Sequence, residues 1–91
     1  MALPAFPRLL RRADVEAALG LRRSALYQQV QRGLFPRPIY MGPKRTMWLE
    51  SDVAAVINAR IAGADNAQIR AVVEKLHAER GADRGASEAA A

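Results

Sequence analysis

Glycine and proline cut this chain into pieces too short for most folds. Gly20, Gly33, the Gly42-Pro43 pair and Gly63 recur along it, and Pro36 and Pro38 interrupt the stretch between Gly33 and Gly42. Each proline lacks a backbone donor and drives its predecessor out of the α region. A glycine just past a helix supplies the left-handed residue that stops it. What remains is a run of short helices and strands, none of which can bury a face without packing on the others.

The first helix is expected over Ala13–Leu19, where Val15 and Leu19 lie four apart and Asp14 and Glu16 favour the dipole of the first turn. Gly20 ends it and Leu21 anchors the turn. A second helix should run from about Arg23 to Arg32, ended by Gly33. Two short helices joined by a brief glycine-containing turn form the helix-turn-helix arrangement. Ile39-Tyr40-Met41 and Thr46-Met47-Trp48-Leu49 are β-prone, and the loop Gly42-Pro43-Lys44-Arg45 between them fits a small hairpin. Ser51 or Glu50 opens a third helix through about Ala62, with Val53, Val56, Ile57, Arg60 and Ile61 on one stripe. Asp65 with Gln68 resembles a capping box opening a fourth, lined by Ile69, Val72, Val73 and Leu76. Trp48 and Phe35 are expected in the core, with Met41 and Met47 filling gaps beside them. The chain thus divides into an extended N-terminal arm (1–9), a helix-turn-helix domain with its hairpin (10–64), a C-terminal helix (65–80) and a disordered tail (81–91). The expected class is mainly α with a small β-hairpin, a winged helix-turn-helix.

Composition narrows the function. With 91 residues, 19 of them alanine, the core is thin and one domain is all the chain can form. A multidomain enzyme, a dinucleotide fold and a deep-cavity barrel are excluded. The absence of cysteine removes disulfides and thiolate chemistry. No apolar run reaches membrane-spanning length, and Met1–Pro7 is too short and lacks the basic start of a signal sequence, so a soluble cytoplasmic protein is expected. Charge is unevenly spread. Residues 1–47 carry a net +7 and residues 48–91 a net −2, and twelve of the fourteen cations are arginine. A basic half of this kind is a footprint for a polyanion, although charge alone fits a solubilising surface equally well.

The second helix separates a packing edge, Leu26 and Val30 with Ala25 beside them, from a polar side carrying Ser24, Tyr27, Gln28 and Gln31. Glutamine can bond adenine bidentately, serine can reach a base edge or phosphate, and tyrosine can bond a phosphate or pack on a sugar. Each of these alone would be a solvated side chain. Arg22, Arg23 and Arg32 at the helix ends supply phosphate contacts, and the combination favours double-stranded DNA. Lys44 and Arg45 sit at the hairpin tip, where a wing can enter a minor groove or meet phosphates.

The ordered string Gly20-Leu21, Arg23-Ser24, Leu26-Tyr27, Gly33, Phe35-Pro36, Pro38-Ile39, Gly42-Pro43, Lys44-Arg45, Trp48-Leu49-Glu50-Ser51 and Val53 resembles the AlpA-type prophage regulators. These are winged-helix relatives of the MerR and excisionase DNA-binding domains. The likeness covers Leu10–Ala64. It implies a small transcriptional regulator of a phage or integrative element, with the helix around Ser24–Gln31 in the major groove and the Lys44-Arg45 loop as wing. The chain departs from that pattern at Arg22, where the family has a serine or threonine cap, and at the uncharged Gln28 and Gln31, where it tends to have a cation.

Other functions are weaker. The sole histidine, His77, has no sequence-adjacent nucleophile, and Asp14 and Glu16 are two apart and do not face one another, so catalysis, a cofactor, a metal and a small-molecule substrate are not expected. A DNA-bending architectural factor and a protein-binding adaptor or antirepressor without DNA binding are the alternatives. The stripe from Ile69 to Leu76 could cover the domain's own core or pair two copies into a homodimer through residues 65–80.

Overall fold

A computed structural model of the chain describes the backbone of residues 6–90 and the side chains of residues 6–80. The elements run β1 (Leu9–Arg11), α1 (Arg12–Leu19), α2 (Arg23–Gln31), β2 (Ile39–Gly42), β3 (Arg45–Leu49), α3 (Glu50–Ile61) and α4 (Asn66–Ala90). The three strands form one antiparallel sheet in the order β1-β3-β2. Mostly helical, with this small sheet, the architecture is compatible with a winged helix-turn-helix.

Local chemistry explains most boundaries. Asp14 accepts the Arg11 backbone N–H at 3.2 Å and so caps α1, while Arg12 and Glu16 pair across one turn at 2.8 Å. Gly20 closes α1 in the left-handed region, φ 66°. At the start of α4, Asp65 Oδ1 accepts the Gln68 N–H and Gln68 Oε1 accepts the Asp65 N–H, both at 2.8 Å, which is the expected capping box.

The structure corrects several expectations. The hairpin has a third strand. Leu9, Leu10 and Arg11, placed by sequence across the arm and the start of the domain, pair with Leu49, Trp48 and Met47. Glu50 N–H donating to the Arg8 carbonyl at 2.8 Å extends that ladder. A strand of three residues butted against a helix has no alternation to reveal it. Met41 is exposed, not a core filler, because it falls in the bulge between Tyr40 and Gly42 of an edge strand, with no partner in the register to β3. Ile61 is 78 % exposed: the chain reverses at Gly63 immediately after it, and only the earlier Val53 and Val56 of α3 are fully covered. Helix α4 continues to Ala90, past Gly81. The tail expected over 81–91 otherwise falls outside the described side chains, and residues 1–5 of the arm lie outside the described backbone.

Trp48 organises the core. It is fully buried with Val15, Leu26, Val56, Ile69 and Val73. The rings of Tyr27 in α2 and of Phe35 each lie 6.2 Å from it, tilted by 53° and 54°. Its indole N–H donates to the Pro36 carbonyl at 2.8 Å. Along α4, Ile69 and Val73 are fully buried, and Val72 and Leu76 pack half-buried on the same cluster. The α4 stripe therefore serves to cover a thin core.

The segment joining α2 to β2 is also held from α4. The Arg37 N–H donates to His77 Nε2 at 3.0 Å, and Arg80 Nη1 donates to the Arg37 carbonyl at 2.8 Å. Arg80 in turn donates to Asp52 Oδ2 of α3 through Nε and Nη2, at 3.0 and 2.5 Å, and Asp52 is nearly buried. Burial holds His77 below its ordinary value of 6.5; the positive charges of Arg37 and Arg80 push the same way, against the pull of Asp52.

Two outcomes follow. Trp48→Ala should cost about 3 to 5 kcal/mol, a large part of the stability of a domain this small, and remove cooperative thermal melting. An intact sharp transition would mean that Trp48 is not the centre of the core. Because the folded pKa of His77 is lowered, its contribution is fully present above 6.5 and is lost as pH falls below 6.5 toward the folded value. Between about pH 7.5 and about pH 5.5 the wild type should lose more melting temperature than His77→Gln, whose amide oxygen can still accept the Arg37 N–H. Equal losses would refute a role for this ring.

Candidate nucleic-acid interface

Helix α2 presents two sides. Leu26 is fully buried and Val30 half-buried, while Ser24, Gln28 and Gln31 are exposed. At 3.6 residues per turn these three polar side chains fall within roughly 60° of arc, a narrow uncharged strip along the outside of the helix. Tyr27, grouped with them by sequence, sits at the edge of this strip: it is half-buried, with its ring against Trp48. Its place is first of all structural, since it ties the helix to the sheet.

The start of α2 is left open to anions. Arg22 occupies the N-cap position with extended backbone, makes no side-chain cap, and no acidic residue follows in the first turn. Among the described residues α1 and α4 have carboxylates at their starts, and α3 has Glu50 and Asp52 in its first turn. In α2 the unpaired backbone N–H groups and the positive end of the dipole face outward beside the exposed Arg22 and Arg23. Arg32 lies at the other end, exposed, where its carbonyl accepts from Arg70 Nε at 3.0 Å. Its side chain lines a separate shallow groove of about 370 Å³ with Leu19, Leu21 and Gln29. The structure thus parts Arg32 from the arginines at the helix start.

The wing is a tight turn at Pro43-Lys44 between β2 and β3. Lys44 has φ 62°, the one non-glycine residue with positive φ among those described, and Gly42 has φ 147°. Lys44 and Arg45 are exposed and share a groove of about 530 Å³ with Leu9, Arg11, Met41, Thr46 and Met47. Sequence reasoning missed Arg11. Strand β1, which carries it to the wing, left no periodic signal, and only the excess of arginine near the N-terminus hinted at it.

Ion pairing sorts the cations. Arg8 pairs with Glu50 at 3.4 Å, Arg12 with Glu16 at 2.8 Å and Arg80 with Asp52 at 2.5 Å. Arg22, Arg23, Arg32, Lys44 and Arg45 form no ion pair among the described residues, and neither does Arg11. Arg37, Arg60, Arg70 and Lys75 are likewise outside any ion pair among the described residues. However, α3 and α4 also carry carboxylates, whereas residues 17–49 carry six cations and no Asp or Glu, so the net basic excess lies on α2 and the wing. Among the described residues no three histidine or acidic side chains converge as a metal site, and no helix is long and apolar enough to cross a membrane.

The chain is 41% identical over 56 residues to the uncharacterized protein ORF88 of Enterobacteria phage P4, a match covering 62% of this chain and 64% of that protein. The chain thus spans a little under two thirds of the length of this curated relative. No solved structure matches it significantly. Residues 8–61 match the family described as prophage CP4-57 regulatory protein (AlpA), a span that contains the helix-turn-helix, the whole sheet and α3. The chain belongs to the AlpA family of prophage regulatory proteins.

Proposed function

We propose that the chain is a sequence-specific, double-stranded-DNA-binding transcriptional regulator of a phage or integrative element, acting in the cytoplasm. Helix α2 enters the major groove and offers Ser24, Gln28 and Gln31 to base edges. Arg22, Arg23 and the open start of α2 meet one stretch of phosphates, and Arg32 meets another. Lys44 and Arg45 reach the adjacent minor groove or its phosphates.

One observation carries this reading: residues 17–49, which hold α2 and the wing, carry six cations and no Asp or Glu, and of these Arg22, Arg23, Arg32, Lys44 and Arg45 are exposed and in no ion pair among the described residues. A merely solubilising surface would mix both signs of charge, whereas the helix that bears the uncharged polar strip and the wing beside it carry no carboxylate at all. The strip itself separates base reading from phosphate binding, because glutamine and serine discriminate by hydrogen bonding and add little nonspecific attraction.

Salt-dependent binding of the full chain to duplex DNA tests the reading. Lys44→Asn with Arg45→Gln keeps a residue that tolerates positive φ at the turn and should flatten the slope of log K against log salt by about two. No change in slope would remove the wing from the interface, and absence of any salt-sensitive retention would favour a protein-binding adaptor. On a site selected from random duplexes, Gln28→Ala with Gln31→Ala should lose about 1 to 3 kcal/mol per specific contact while binding to random DNA is nearly unchanged. Equal losses on both would make the glutamines positioning residues.

A further inference from the structure

The outer face of the sheet holds a cluster that the helix and wing do not account for. Trp48 and Leu10 are paired and turn toward the core, so alternation sends Leu9, Arg11, Arg45, Met47 and Leu49 to the opposite face. Strand β1 runs antiparallel to β3, with Arg11 opposite Met47. This makes Arg11 the end of β1 nearest the wing and the diagonal neighbour of Arg45 on the same face. Diagonal neighbours in such a ladder stand roughly 7 to 8 Å apart, within reach of two arginine side chains. Lys44 completes the rim of the same groove, about 530 Å³ in volume, and no carboxylate lines it.

Three cations around one concavity, none in an ion pair among the described residues, repel one another unless an anion is seated between them. The floor is not a pure charge trap: Leu9, Met41 and Met47 offer an apolar surface of the kind a deoxyribose could rest on. Arginine suits such a seat because its planar fork can hold a phosphate bidentately. The backbone of Arg11 is fixed on two sides, by the ladder to Met47 and by its N–H on Asp14, so the side chain leaves from a rigid base.

We propose that this groove is a seat for the DNA backbone in which Arg11 joins Lys44 and Arg45 around a phosphodiester. The wing is then a three-stranded device, with β1 contributing a cation from the far side of β3. The proposal rests on the DNA-binding reading above and extends it to a residue outside the helix-turn-helix and the hairpin.

The test uses the full chain and a random-sequence duplex, because a phosphate contact is indifferent to base identity. Arg11→Gln should lower the slope of log K against log salt by about one, and Arg11→Lys should restore it. Lys75→Gln, at an exposed cation on α4 that lines neither groove, should leave the slope alone. Without DNA, Arg11→Gln should melt no lower than the wild type, since the cap on α1 uses the Arg11 backbone and a like-charge neighbour has been removed. If Arg11→Gln binds with the wild-type slope while Lys44→Asn with Arg45→Gln loses about two, the seat for Arg11 is refuted and the DNA-binding reading stands. If no variant changes the slope, or the wild type is not retained on DNA at all, both fall.

Discussion

The burial of Trp48 is the constraint on which the rest depends. A single indole on β3 touches Tyr27 of α2 and Phe35, and bonds the carbonyl of Pro36 in the segment leading to β2. Removing that ring would not merely open a cavity; it would uncouple the polar helix from the hairpin, whose mutual placement decides whether both can meet one duplex. The core has little else to fix this relation, because nineteen residues of the chain are alanine and only nine larger hydrophobic side chains are buried among the described residues. Large aromatic area concentrated at one point does what a bigger domain would spread over many aliphatic contacts.

The remaining freedom is removed by α4. Pro36 and Pro38 flank a peptide that no helix or sheet can satisfy, yet the N–H of Arg37 reaches His77 and its carbonyl reaches Arg80. Arg80 also neutralises the nearly buried Asp52 of α3. A buried ion pair of this kind contributes little net stability against an apolar replacement, but losing either member leaves an uncompensated charge. Its value here is geometric: it pins one defined backbone segment between the helix and the wing. The ring of His77 belongs to the same device, and the burial that chiefly lowers its pKa, joined by the charges of Arg37 and Arg80, also keeps it able to accept.

Much of this was legible in the sequence. Gly20 and Gly33, the Asp65–Gln68 pair and the β-prone runs around Gly42-Pro43 each act through neighbours a few residues away, so the four helices and the hairpin could be placed. The polar strip of Ser24, Gln28 and Gln31 followed from helical period alone, and the family likeness followed from ordered motifs. What was not legible depends on distant pairing. Strand β1 exists because β3 has a free edge, and nothing within Leu9–Arg11 announces it. The same pairing gives Arg11 its place beside Arg45. Tyr27 looked like a surface residue by spacing, but the position of Trp48, twenty-one residues on, draws it half into the core. His77 and Arg80 act on Arg37 across 40 and 43 residues, and local spacing is silent about such partners.

The backbone at the wing tip is strained. With proline at the first central position of the turn and positive φ at the second, the geometry suits glycine or asparagine at the second place. Lysine there costs about 1 kcal/mol of left-handed strain. That cost returns nothing to the fold: Lys44 is exposed, packs on no core residue and forms no ion pair among the described residues. Its neighbours in the groove are two more cations, so it is electrostatically unfavourable as well. An anion arriving at the tip leaves the backbone of the turn as it is, so the strain is common to the free and bound domain and drops out of the affinity. What the anion relieves is the repulsion among Lys44, Arg45 and Arg11, and the charge gathered at the wing, not the turn, sets the reward for binding a polyanion.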